Sequence, residues 1–162
     1  MAQDATKARA SAQKLEPAIL RGDLMPLLEK MHPRWKERLS KRAGGDAALA
    51  ASFKNQAKQI AEAGVKIDAF TVSPATDKPV PVNFGREMLV FLPTLKIISG
   101  LDNKGVLRQI EQKGFLIAVT DVGKDDWTFI DGSTLSKSDI RSLFPELKKD
   151  FVTPPFGSKE IK

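Results

Sequence analysis

The amino-acid sequence predicts an α+β fold in which helices come first and a mainly antiparallel sheet second. Three observations carry this. Through residue 63 the apolar side chains recur every three or four positions; from Val65 onward they alternate, and no linker separates the two regimes. The stretch from Gly114 to Gly132 then reads as a strand, a tight turn and a second strand, the turn being Asp121-Val122-Gly123-Lys124-Asp125-Asp126. At 162 residues the chain has the length of one domain that can bury a real core. That domain is expected over 1–147, with 148–162 an extended C-terminal tail tied down through Phe151 and Phe156.

Taken in order, Ala5, Ala8, Ala12, Leu15 and Ile19 form one face of an amphipathic helix over 4–21, which Pro17 should kink or divide. Gly22-Asp23 breaks the chain, and Asp23 is placed to cap a helix from Leu24 with Leu24, Leu27, Leu28 and Met31 as its buried stripe. His32-Pro33 closes it. Pro33 suits the first position of a further segment over 34–42, anchored by Trp35 and Leu39. Gly44-Gly45 is a joint, Asp46 a cap, and Gly64 a C-terminal stop for the helix between them. Leu49, Phe53, Ala57 and Ile60 give that helix the cleanest stripe in the chain. Residues 46–63 are therefore expected to be the central helix lying against the sheet.

The first strand runs from Val65 to Val72 and ends at Ser73-Pro74. Pro74, Pro79 and Pro81 confine any strand over 74–82 to a short edge piece. A long strand follows over 86–99, with a bulge or bend expected at Pro93, which has no N–H to give a ladder. Beyond the turn at 100–105 the chain returns antiparallel from Val106 to Thr120. Phe115, Ile117 and Val119 alternate there with Leu116 and Ala118, so the strand is apolar on both faces. Such a strand demands two covering layers. A homodimer through the sheet is the simplest supply, and the terminal helix and tail are the alternative within one chain. Trp127 to Gly132 is a short aromatic strand. Ser136 then caps a last helix with Ile140, Leu143 and Phe144 facing inward and Pro145 ending it.

Composition excludes several chemistries. With no Cys there are no disulfides, thiolate nucleophiles or Cys-ligated metals, and the single His rules out multi-His sites. The absence of Tyr removes a common acid and oxyanion donor. No run approaches the roughly 20 apolar residues of a membrane span. Met1-Ala2-Gln3-Asp4-Ala5 lacks the basic and apolar regions of a signal peptide. Ala-Gln-Asp-Ala matches the start of an exported bacterial protein after signal cleavage, behind an added Met, so a periplasmic location is expected, with a cytoplasmic start as the alternative. Residues 1–66 hold 13 Lys and Arg against 7 Asp and Glu, and the rest balance, so the whole net charge of +6 lies in the first part. Its densest run is Arg34, Lys36, Arg38, Lys41 and Arg42. Without interleaved aromatics or a phosphate-cradling loop, this reads as a solvated helix face in preference to a nucleic-acid surface.

No residue earns a catalytic role, no metal site is expected, and no cofactor is implied. His32, before Pro at a helix end, is a cap in one reading and a general base in the other. Asp68 reads as solvent-facing, and Asn83 and Asn103 as turn residues. Trp127, Phe129, Phe91 and Phe115 are the aromatics placed to wall a pocket for a small apolar ligand, with Asp131 the one acid beside them. The competing reading of these rings, and of Trp35, Phe53 and Phe70, is a helix-on-sheet core, and that of Asp131 is turn chemistry.

The Gly22-Asp23-Leu24 restart followed by Leu27, Leu28 and His32-Pro33, together with the Trp127-Thr128-Phe129-Ile130-Asp131-Gly132 strand, resembles the nuclear-transport-factor-2-like superfamily over most of residues 4–132. The resemblance implies N-terminal helices packed in the concavity of a curved, cystatin-like sheet, often with a pocket and often paired as a dimer. That superfamily hosts isomerases, dehydratases, ligand binders and pure interaction proteins, so fold alone does not assign function. The expected function is non-catalytic binding with an apolar ligand pocket. The alternatives are a small cofactor-free isomerase, dehydratase or hydrolase using a pocket Asp, and a basic-surface binder of anionic polymers.

Overall fold

A computed structural model describes residues 4–161 and is α+β, with an open, mainly antiparallel six-stranded sheet. Met1 to Gln3, on which the export reading rests, lie outside the described residues. Five helices come first: α1 (Ala5–Gln13), α2 (Glu16–Leu20), α3 (Met25–Glu29), α4 (Pro33–Ala43) and α5 (Asp46–Glu62). Then follow β1 (Lys66–Val72), β2 (Val80–Val82), β3 (Glu87–Leu101), β4 (Leu107–Asp121), β5 (Thr128–Asp131), a 3-10 turn (Gly132–Thr134), α6 (Lys137–Leu143) and β6 (Gly157–Glu160).

Local chemistry sets these boundaries. Pro17 divides the first helical stretch in two: it stands in the first turn of α2, where no intrahelical donor is needed. The Asp23 carboxylate accepts from the Met25 N–H at 3.0 Å, and Pro33 opens α4. Gly44 and Gly45 both have positive φ, so the chain reverses there at no steric cost, and Gly45, one residue earlier than expected, caps α5. The Ser136 hydroxyl and Asp139 carboxylate form a reciprocal capping box on α6.

β3 and β4 form a fifteen-pair antiparallel hairpin from Glu87↔Asp121 to Leu101↔Leu107. Each is flanked by two short strands: β1 and β2 along β3, β5 and β6 along β4. The bulge expected at Pro93 is absent, since Pro93 pairs in register with Phe115, and the register shift falls in β1 between Ile67 and Ala69. The reason is the direction in which Pro93 faces. Its carbonyl accepts from Ser73 N–H on the outer side of β3, so its missing donor also points outward, just past the end of β1, and no bond to β4 is lost.

Both faces of the second half of β4, Phe115 to Thr120, are buried, while its first half stays largely exposed. Phe115, Ile117 and Val119 join a cluster with Leu28, Met31, Trp35, Leu49, Leu89, Ile140 and Phe144, built by α3, α4, α6 and the segment after it. Leu116 and Ala118 join the opposite cluster with Ala8, Ala12, Ile19, Phe70, Val90, Trp127 and Phe129, under α1 and α2. One chain therefore supplies both layers. Residues 148–161 are part of this cover: the Phe151 ring stacks on Phe91 at 6.2 Å, and β6 pairs with Ile110 to Lys113 of β4.

The central role expected for residues 46–63 is not what the structure has. α5 packs chiefly on α4 and α3, and Leu49 is its one buried residue. Phe53 is half-buried, and Ala57, Ile60 and Ala61 face Leu20 to Gly22 and the start of β1 across a shallow cleft. The cleanest apolar stripe belongs to a helix at the rim because its other faces carry Lys54, Gln56, Lys58, Gln59 and Glu62, which need water and cannot enter a two-sided core.

Two stability predictions follow from this packing. Phe53→Ala should cost about 1–2 kcal/mol in chemical denaturation, below the roughly 3–5 kcal/mol of Phe129→Ala at a fully enclosed ring. Gly132→Ala should destabilise by about 1–3 kcal/mol or more, because a Cβ at Gly132 would overlap the ring of Phe115. Equal melting of Gly132→Ala and wild type would show that the turn after β5 gives way to the ring.

Candidate functional site

The sequence-selected pocket residues are not gathered at one surface. Trp127 and Phe129 are fully buried on the α1–α2 side of the sheet, and Phe115 is buried on the other. Indole N–H of Trp127 donates to the Asp125 carboxylate at 2.7 Å, closing the β4–β5 turn. Asp131 caps the 3-10 turn, accepting from the N–H of Ser133 at 3.2 Å and from its hydroxyl at 2.6 Å. Asp68 is exposed and accepts from the Gln109 amide. Asn83 is a turn residue with φ of 53°, and Asn103 lies in the β3–β4 turn. Of the five chosen, Phe91 alone reaches an open concavity.

That concavity is a groove of about 750 Å3 between the β2 edge and the segment after α6. Its floor is apolar, made by Leu89 and Phe91 from β3 and by Leu147 and Phe151 from the returning chain. Phe91 is held edge-on to Phe115 at 5.8 Å and flat against Phe151, so the floor is rigidly backed by core. Val80 and Val152 stand exposed on its walls. The lining also carries charges of both signs: Asp77, Lys78, Glu146, Lys148 and Asp150. Sequence reading missed this site because half of it comes from a stretch without periodicity, residues 146–152. The one signal was Phe151, an aromatic just after the charged run Lys148 to Asp150.

Elsewhere the titratable groups are engaged in holding the fold. His32 is 1 % exposed, and its backbone N–H donates to the Phe129 carbonyl, fastening α4 to the edge of β5. Its Nδ1 accepts from the Arg34 N–H at 3.2 Å, so the proton sits on Nε2, which faces Glu87 Oε2 at 3.3 Å. Arg34 completes the cluster, with Nη1 2.9 Å from Glu87 Oε1 and its guanidinium 5.3 Å above the Phe144 ring. Both His32 nitrogens are thus occupied, and neither is open to act as a general base.

Four of the five basic residues in the α4 run are engaged as well. Arg38 donates to the hydroxyl and carbonyl of Ser142 in α6, Arg42 lies over Trp35, and Lys41 pairs with Glu37. Among the described residues no group of three or more His, Asp or Glu side chains could hold a metal ion, and no helix is long and apolar enough to cross a membrane.

Burial, followed by the neighbouring Arg34 cation, holds the His32 pKa below its ordinary value, against the pull of Glu87 and Asp121. The folded state therefore binds a proton less readily than the unfolded chain. Stability from this group is complete above the unfolded value of about 6.5 and is lost as pH falls through the lower folded value. Denaturant midpoints should fall on acidification below about pH 6.5, and His32→Asn, which keeps an acceptor for the cap, should flatten that dependence. An unchanged slope in His32→Asn would assign it to other groups. No family model, curated protein or solved structure matches the chain, and the site is read from its own geometry.

Proposed function

We propose that this chain is a non-catalytic binding protein, and that its binding surface is the groove between β2 and residues 146–152. The observation that carries the reading is the apolar floor of Leu89, Phe91, Leu147 and Phe151 under a rim of mixed charge. A concavity of this size falls in the range used for small apolar ligands, and the few rim charges would orient a bound molecule. The nuclear-transport-factor-2-like reading is compatible with the same role, since helices preceding an antiparallel sheet are the arrangement it implies. Proton-transfer catalysis is less well supported, because Asp131 serves as a turn cap and His32 has no nitrogen to spare. A basic-surface role is weakened by the engagement of Arg34, Arg38 and Arg42 with their own fold.

The test is a titration with small apolar compounds followed by methyl NMR. Resonances of Val80, Leu89, Leu147 and Val152 should move together, while methyls under α1 and α2 stay fixed. Val80→Lys, at an exposed groove wall, should weaken binding at least about tenfold, or 1.4 kcal/mol. Shifts confined to another surface, or turnover in an isomerase and hydrolase panel, would replace this reading.

A further inference from the structure

The turn between β2 and β3 holds Asn83, Phe84 and Gly85 successively in the left-handed region, with φ of 53°, 57° and 76°. Asn and Gly tolerate that conformation; Phe does not adopt it without strain. The strain is not offset by burial, since Phe84 is 87 % exposed, the most exposed large apolar side chain among the described residues. A polar residue in the same place would relieve both penalties. An exposed aromatic kept in a disfavoured conformation points to something that the ring meets outside its own chain.

What lies beside it identifies the partner. The Phe84 N–H donates to the Glu146 carboxylate at 2.9 Å, and Glu146 is part of the rim of the apolar groove. A protruding ring and an apolar concavity are thus tied together on one surface, and the ring, 87 % exposed, does not line the groove of its own molecule. We propose that a second copy of this chain docks here across a two-fold axis, each Phe84 entering the partner's groove over Leu89, Phe91 and Phe151. Such a contact is isologous and closes at two subunits, because knob and hole belong to the same patch. The rim favours self-association over a partner of single charge. The groove's lining holds both signs, Asp77, Glu146 and Asp150 with Lys78 and Lys148, so a second copy can offer base to acid and acid to base where a partner of one charge cannot. The inference rests on the reading of the groove as an apolar binding surface and names its occupant.

Sedimentation velocity over a range of micromolar concentrations tests it, with wild type, Phe84→Asn and Val80→Lys run separately and the two variants mixed. Wild type should show a reversible monomer–dimer equilibrium. Each variant should associate at least tenfold more weakly, and the mixture should recover part of the association, because it restores one of the two ring-in-groove contacts. Phe84→Asn relieves the left-handed strain, so its melting temperature as a dilute monomer should equal or exceed that of wild type, which separates lost docking from lost folding. A wild type that stays monomeric throughout, a dimer indifferent to Phe84→Asn, or a monomer that uses Phe84 to bind phosphatidylcholine vesicles would each overturn the proposal. Methyl titration of the wild type with the apolar compounds keeps the two readings apart: compound binding by a wild type that never dimerises removes the self-docking inference alone, and loss of both removes the groove as well, while Phe84→Asn should fail to dimerise and still bind the compounds.

Discussion

Everything in this fold depends on the need to cover β4 on both faces. A strand with Phe115, Ile117 and Val119 on one side and Leu116 and Ala118 on the other cannot lie at a surface, so the sheet needs a layer above and a layer below. The chain provides them from its two ends. α1 and α2 close one side, and α3, α4, α6 and the returning segment close the other. α3 serves both, since Leu28 faces one cluster while Leu27 packs against the other. The groove is where the second layer stops short of the sheet edge.

The joint between the layers is electrostatic as well as apolar. His32 ties α4 to β5 by its backbone and to β3 by its ring, and Arg34 spans from Glu87 of β3 to the Leu143 carbonyl of α6. Two neighbouring residues therefore connect four elements. Removing Arg34 or His32 would leave the Glu87 carboxylate, 12 % exposed, short of a partner, which is why such clusters fix one arrangement even where they add little net stability.

Helix and strand boundaries were legible in the sequence wherever a local rule decides them: Pro17 dividing the first helix, Pro33 opening α4, Ser136 capping α6. What was not legible depends on neighbours far away in sequence. The stripe on α5 was visible, but its place at the rim follows from packing on α4 and α3, which already cover that face of the sheet. Gly132 looked like a turn glycine, and its real constraint is the Phe115 ring passing over it. The aromatics read as a pocket wall divide between two faces, because alternate positions of β4 and β5 point in opposite directions. The basic run on α4 looked like a free surface until Arg38 and Arg42 met Ser142 and Trp35. Periodicity says which side of an element is apolar and is silent on which neighbour it will find.

The long β3–β4 hairpin has a kinetic consequence. Its closing loop is short and self-organised, with the Asp102 carboxylate accepting from the N–H groups of Lys104 and Val106 and pairing with Arg108. Fifteen residue pairs can zip from that loop with little entropy lost to chain closure, and β5 adds through another tight turn. α1, by contrast, must find β1 and β3 across scores of intervening residues, after the hairpin has given it a surface to find. The meander is then the part of the molecule expected to form first and to set how fast the chain folds. The amino-terminal helices, arriving late, set how long it stays folded, and loosening them shortens the lifetime of the native state while leaving its rate of formation nearly untouched.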